Sequence, residues 1–275
     1  MYCTGPTGYS CTPKHGTGLT LNMNFNAENQ IWDDGDGVYQ YDSAGNLIQD
    51  GTHGYHYNLE NQITCMVGPL LGTCDEDGSA NYTYGPDGRR VAKWVGNEVS
   101  EEYIYDFAGN QTSAHSAIGT VLRNELYVAG GRHVATYETP DLVNYYWYFN
   151  HADWLGTERV RTNSGGTAKE WCTDTPYGMN LNCTTTVGDP SPMHFTGKQR
   201  DGESGLDHYG ARYFGGGNNL GRFMTADDPL LYQDRGNPQT INLYGGDQGG
   251  QRRRPREVQD GHGDGDAVRH RRGSW

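Results

Sequence analysis

The sequence predicts an all-β chain, a string of stacked β-hairpins, and three observations carry that reading. First, 41 glycines and 11 prolines punctuate 275 residues. Gly costs about 1 kcal/mol and Pro about 3 kcal/mol in a helix interior, so long helices do not survive such spacing. Second, tyrosine outnumbers phenylalanine 20 to 6; a tyrosine ring packs against a cross-strand neighbour while its hydroxyl reaches water or a partner, which suits a half-wet sheet. Third, short units recur along the chain, and one hairpin cannot bury its own face unless it stacks on the next.

The repeats run in order from residue 25. Phe25-Asn26-Ala27-Glu28-Asn29-Gln30-Ile31 returns as Tyr57-Asn58-Leu59-Glu60-Asn61-Gln62-Ile63, an offset of 32. A second unit starts at Tyr41-Asp42-Ser43-Ala44-Gly45-Asn46, loosens at Tyr84-Gly85-Pro86-Asp87-Gly88-Arg89, and returns at Tyr105-Asp106-Phe107-Ala108-Gly109-Asn110; the separations of 43 and 21 fit one period near 21. In each, the aromatic ends a strand, Asp caps the turn, and Gly supplies positive φ before the next strand. Val38-Tyr39-Gln40-Tyr41, Glu102-Tyr103-Ile104-Tyr105 and Tyr145-Tyr146-Trp147-Tyr148-Phe149 are the flanking strands. The expected organisation is a Cys-containing edge over 1–24, hairpin repeats over 25–150, a non-repeating Gly- and Arg-containing stretch over 151–245, and a low-complexity tail over 246–275. The tail holds seven Arg, five acids and few apolar residues, too few to offset ordering entropy, so it is expected to be disordered.

Only 34% of residues are hydrophobic and mean hydropathy is −0.84, so the core is expected to be thin and the sheet hollow or extended. A net charge of −13, from 34 acidic and 21 basic residues, disfavours non-specific binding to nucleic acid or anionic lipid. No apolar run reaches transmembrane length. The opening Met1-Tyr2-Cys3-Thr4-Gly5-Pro6 has neither a basic nor an apolar signal region, so an exported chain of this kind is expected to be a fragment of a longer one. The cysteines form three local pairs, Cys3/Cys11, Cys65/Cys74 and Cys172/Cys183, each enclosing a short Gly-, Pro- or Thr-rich segment. Hairpin-tip disulfides in an oxidising compartment are the favoured reading; free thiols and zinc are its rivals, zinc disfavoured by spacing.

The units at Tyr41-Asp42 and Tyr105-Asp106 resemble YD repeats, and the stretch C-terminal to them resembles the Rhs-associated core domain. The matching residues are Asp153 and Gly156 in Asp153-Trp154-Leu155-Gly156-Thr157, Gly178 in Pro176-Tyr177-Gly178, and Gly197, Arg200 and Asp201 in Phe195-Thr196-Gly197-Lys198-Gln199-Arg200-Asp201. They continue through Gly210 and Arg212 in Tyr209-Gly210-Ala211-Arg212-Tyr213-Phe214, then Arg222 and Asp228. The resemblance covers residues 25–245. It implies a structural shell of a secreted or surface polymorphic toxin, in which a coiled β-sheet encloses or presents a C-terminal effector that this chain does not encode. The implied partners are upstream repeats of the same protein and that effector, with no nucleic acid, no membrane span and no cofactor. Many such cores cut themselves by an aspartyl-protease-like reaction. Arg222 and Asp228 match the first half of that motif, whereas the second, due after Tyr244-Gly245, is absent, so no catalytic residue is assigned. A frameshift or a divergent tip would each account for the break.

Several local features carry a sharper and a plainer reading. Asp227 and Asp228 are adjacent and point to opposite faces of a strand, so they do not make a carboxylate dyad together; a turn-capping role for Asp228 is the plainer reading. His151 and Asp153 share a strand face without a third group, which favours a structural hydrogen bond. Asp33-Asp34-Gly35-Asp36-Gly37 lacks the ligand pattern and closing Glu of a calcium loop, and reads as a turn; no metal is assigned. Arg200, Arg212 and Arg222 are placed to staple the core to Asp201, Asp207 and Asp228. Arg252-Arg253-Arg254 reads as a solvated end. A surface that binds carbohydrate through exposed Tyr and Trp faces is a further alternative, and the open strand edges predict association of the isolated segment.

Overall fold

The computed structural model describes residues 2–4, 9–12, 21–35, 37–68, 72–75, 78–96, 98–139, 143–186, 191–210, 212–227 and 242–245. The expected low-complexity tail and Asp228 lie outside them.

Among these residues the fold is a meander. β1 (Tyr2–Thr4), β2 (Tyr9–Thr12), β3 (Leu21–Phe25) and β4 (Ile31–Asp33) make a four-stranded sheet. Fourteen further strands make one antiparallel sheet in strict chain order. They are β5 (Tyr39–Tyr41), β6 (Leu47–Asp50), β7 (Gly54–Tyr57), β8 (Ile63–Val67), β9 (Ala80–Tyr84), β10 (Arg90–Val95), β11 (Glu98–Tyr105), β12 (Gln111–His115), β13 (Val121–Val128), β14 (Arg132–Glu138), β15 (Tyr146–Ala152), β16 (Glu158–Asn163), β17 (Ala168–Thr175) and β18 (Met179–Thr185). The sheet runs through position 150 without a break, since β15 straddles it. Three short strands, β19 (Gln199–Arg200), β20 (Asp207–His208) and β21 (Tyr213–Phe214), build a separate plug over residues 191–227.

The repeats are turns of one design. The backbone N–H groups of Ala44 and Asn46 donate to Asp42 Oδ1, each at 2.9 Å, and Asn46 Nδ2 donates to Asp42 Oδ2 at 2.8 Å. Asp106 accepts the same pair of bonds from Asn110, both at 2.8 Å. Where Asn replaces Asp, at Asn26 and Asn58, the side chain accepts from residues two and four ahead. Asp153 and Asn163 do likewise, in loops without a YD unit. The fourth position is left-handed in all of them. At Gly45, with φ +86°, a Cβ would meet Tyr244 Oη at 2.8 Å, so only Gly fits.

The tyrosines stitch hairpin to hairpin. Tyr57 Oη donates to the carbonyl of Leu47 at 2.7 Å, Tyr84 Oη to that of Ile63 at 2.6 Å, and Tyr105 Oη to that of Arg90 at 2.8 Å. Each acceptor begins the return strand of an earlier hairpin. Phenylalanine would fill the same space and leave a carbonyl without its partner, which accounts for the tyrosine excess.

Candidate functional site

The plug lies on one face of the large sheet, and that face changes character along the chain. Toward the N-terminal end it is apolar: Leu47, Tyr55, Ile63, Met66, Ala80 and Tyr82 pack with Leu206, Tyr213, Leu220 and Met224 of the plug. From β10 onward charged groups take many of the buried positions, among neutral ones such as Tyr103, Ala114, Ala135 and Tyr148. Arg123 pairs with Glu101 at 2.5 Å and Glu125 at 3.3 Å. His133 is held between Glu125, at 2.7 Å, and Glu158. Arg161 pairs with Glu138 at 3.1 Å and Glu170 at 3.0 Å. Strand alternation puts these groups on the covered face and Trp147, Phe149 and Trp171 on the other.

Burial of unpaired charge is prohibitive, so each group's partners set its ionisation. Burial alone would raise Glu101, but the Arg123 charge and hydrogen bonds hold it down at about 2. Burial alone would depress His133, yet its bonds to Glu125 and Glu158 raise it to about 10, an imidazolium clamped by two carboxylates. His208 in the plug has no such partner and burial keeps it neutral.

The plug docks onto this face through groups that complete its network. Arg90 and Asp201 are fully buried, their side chains both 0% exposed. Arg90 Nη1 and Nη2 donate to the two Asp201 oxygens, the second at 3.0 Å, and further bonds reach Tyr213 Oη at 3.0 Å and Tyr103 Oη at 3.3 Å. Lys93 and Tyr82 hold Glu203 at 3.3 and 3.0 Å. Gln199 Nε2 donates to Glu101 at 3.2 Å, and Ser191 bonds Glu170 at 3.0 Å and Glu158 at 3.2 Å. At the far end Asn218 Nδ2 donates to Asp50 at 2.8 Å and the Leu47 N–H donates to the Met224 carbonyl at 2.8 Å. One short segment therefore ties β6 to β17. A cavity of about 490 Å³ remains beside it, lined by Gln111, Tyr127, His133, Lys198 and Tyr209 among others.

The described residues among those singled out in the sequence fall in and around this interface. Asp201 is taken by Arg90, while Arg200 makes a two-pronged contact with Asp207, at 2.9 and 2.8 Å, and donates to the Gly178 carbonyl at 3.0 Å. Gly178, with φ +70°, has no room for a Cβ beside Phe195. Arg212 stacks on Phe223 at 3.8 Å and meets Asp227 at 3.4 Å. Arg222 donates to the Asn29 carbonyl at 2.7 Å and lies over Phe25 and Tyr244. Asp153 pairs with Arg159 at 2.9 Å and His151 with Thr162 at 3.0 Å, so the two do not join. Gly156, Gly197 and Gly210 all have positive φ in loops against or within the plug. In the acidic turn at residue 33, Asp33 and Asp34 accept from the N–H groups of Gly35 and Gly37.

Disulfides join Cys65 to Cys74 and Cys172 to Cys183. Cys3 and Cys11 are register partners in β1 and β2, and their side chains lie outside the described residues. Arg90, Lys93, Arg123 and His133 were not singled out by the sequence. Their signal was a charge on the buried parity of each successive strand, which only the known register reveals.

Known proteins share this architecture. The tRNA3(Ser)-specific nuclease WapA of Bacillus spizizenii is 27% identical over 220 residues, covering 79% of this chain and 9% of that protein. The tRNA nuclease WapA of Bacillus subtilis is 26% identical over 221 residues, with the same two shares. The chain thus spans about a tenth of the curated relatives it matches. Among solved structures, TcdB2-TccC3 superposes with a TM-score of 0.61 at 17% identity, covering 87% of this chain and 12% of that one. The Photorhabdus luminescens Tc holotoxin pore gives 0.51 at 13% identity, over 82% and 14%. The sequence profile described as Teneurin YD-shell matches residues 11–249. With the meander, the Asx-capped turns and the plug in place, the chain belongs to the Teneurin YD-shell family.

Proposed function

We propose that this chain is the closing wall of a Rhs-type toxin shell, whose plug seals the sheet so that a downstream effector is enclosed or presented. The observation that carries this is the buried Arg90–Asp201 pair, with the ladder of ionic and amide contacts from Ser191 to Glu203 around it. Such an interface reads as a fixed lid. The core-domain signature residues act in this reading as staples and turn formers. The nuclease named in the relatives belongs to proteins of which this chain covers 9%, so the shell role is assigned to this segment and any enzyme activity to parts beyond it. Upstream repeats and the effector are the proposed partners, and the extracellular space or cell surface the proposed location. The test is protection. In a parent chain bearing a downstream reporter, added protease should spare the reporter, and Asp201→Asn should expose it; equal digestion of both would overturn the reading.

One observation favours a second reading. On the face away from the plug, Tyr137 stacks on Tyr145 at 5.3 Å and meets Trp147 at 4.8 Å, with Tyr145 61% exposed. Ring platforms of this sort hold sugars. Glycan-array binding lost on Trp147→Ala would support it, and an empty array would remove it.

A further inference from the structure

The sequence spacing of the cysteines disfavours a zinc knuckle, but the fold brings a histidine to each described pair, the exposed His56 to Cys65 and Cys74 and the buried His194 to Cys172 and Cys183. The Cys172 and Cys183 sulfurs and an imidazole nitrogen of His194 all lie within 4.8 Å of one another. His194 stands eleven residues beyond Cys183 and reaches it because its backbone is pinned at the plug's entrance: its N–H donates to the Lys198 carbonyl at 2.9 Å, and its own carbonyl accepts from Gly197 at 3.0 Å and Glu158 at 3.4 Å. Its Nδ1 is buried and makes no hydrogen bond. An orphaned nitrogen on a ring that lies beside two sulfurs is otherwise an unexplained loss, because a buried polar atom without a partner is destabilising.

We propose that the Cys172–Cys183 disulfide is the oxidised form of a soft-metal site, and that on reduction the two thiolates and His194 bind one zinc-class ion. The thiols stay together without the covalent bond because β17 and β18 hold Cys172 and Cys183 in register. The sheet, not the disulfide, sets their spacing. The sulfurs need only separate to the edge of a tetrahedron with metal–sulfur bonds near ~2.3 Å and a metal–nitrogen bond near ~2.0 Å. A Glu170 oxygen also lies 3.9 Å from the Cys172 sulfur, while its other oxygen is held by Arg161 and Ser191. The chemistry balances: a dithiol reductant passes two electrons and two protons to the disulfide and becomes a disulfide itself, and the two thiols then release their protons as the metal binds. The set of two thiolates and an imidazole selects zinc, cadmium or cuprous copper over magnesium or calcium. The consequence is a clasp at the plug's entrance that exchanges a covalent link for a metal link when the chain passes from an oxidising to a reducing compartment.

The experiment uses the full chain with Cys3→Ser/Cys11→Ser and Cys65→Ser/Cys74→Ser, which leaves Cys172 and Cys183 as its thiols, reduced anaerobically and titrated with cadmium. The expected result is one cadmium per chain with a sulfur-to-metal charge-transfer band, neither of which is seen before reduction, and an affinity at least ~10-fold weaker in His194→Ala. No charge-transfer band after reduction, or an affinity unchanged by His194→Ala, would overturn the proposal. Should that variant not fold, X-ray absorption of the zinc-loaded parent decides the question: a first shell of two sulfurs and an imidazole supports the site, and a shell without imidazole refutes it.

Discussion

Replacing Arg90 by Met tests the docking of the plug at its centre. The guanidinium is fully buried, bonds both oxygens of Asp201, and lies over the rings of Tyr82 at 5.3 Å and Tyr103 at 4.8 Å. Removing one partner of a buried ion pair leaves an uncompensated charge and costs about 3–5 kcal/mol. Lys93 remains 3.6 Å from Asp201 and takes up part of that charge, so the lower end, about 3 kcal/mol, is expected. The assay is urea unfolding of the full chain followed by circular dichroism, with the double variant Arg90→Met/Asp201→Leu beside it. Replacing both members by apolar groups is close to neutral in buried pairs, so the double variant should recover to within about 1 kcal/mol of the parent. A single substitution costing under about 1 kcal/mol, or a double one as unstable as the single, would refute the claim that this pair locks the plug.

His133 is raised from 6.5 to about 10 in the fold, so its proton adds stability that is complete below pH 6.5 and disappears as pH rises toward 10; Glu101, lowered from 4.5 to about 2, adds stability above pH 4.5 that is lost toward 2. Stability should therefore be greatest between these limits, and His133→Gln should flatten the alkaline limb of a melting-temperature profile. Gly45→Ala should destabilise by more than the ~1–2 kcal/mol of a left-handed alanine, because its Cβ also meets Tyr244; Gly119→Ala, with no atom within 4 Å, should show only the backbone penalty. Tyr84→Phe should lower stability by about 1 kcal/mol in the same denaturation assay through loss of the bond to Ile63. Intact-mass analysis of the purified chain should show no cut between residues 228 and 244, since Arg222 is engaged with the Asn29 carbonyl; a fragment ending there would restore the self-cleavage reading.

Turn chemistry was the legible part of this fold. Tyr41-Asp42 with Gly45-Asn46 names its own geometry, because one carboxylate capping two N–H groups and one residue at positive φ leave few alternatives. The loop from Ser116 to Thr120, in which Ser116 Oγ accepts from the Thr120 N–H at 3.2 Å, has the same shape but does not look like a repeat, since serine stands where aspartate would. Chain-order pairing was equally readable, as short loops leave successive strands little choice. The ionic face was not. Arg90 and Asp201 are 111 residues apart, and no period relates them. Arg200 takes Asp207, its cross-strand partner, and nothing in the sequence chooses that carboxylate over Asp201, which Arg90 holds instead. The apolar-to-ionic change along one face has no composition signature either, because the charges it buries count as surface residues until the register is known.

The strict chain order of the fourteen strands has a consequence for assembly. Each new hairpin finds its only docking edge on the one made just before it, so the wall can zip up from its N-terminal end as the polypeptide emerges, with no strand waiting for a distant mate. The plug is the exception. Its contacts reach back to Asn29, Leu47 and Arg90, so it must wait until the wall is complete, and then close loops of more than a hundred residues in one event. Directional growth followed by a single late latch gives the molecule a built-in order of completion, in which the wall stands before the plug can close against it.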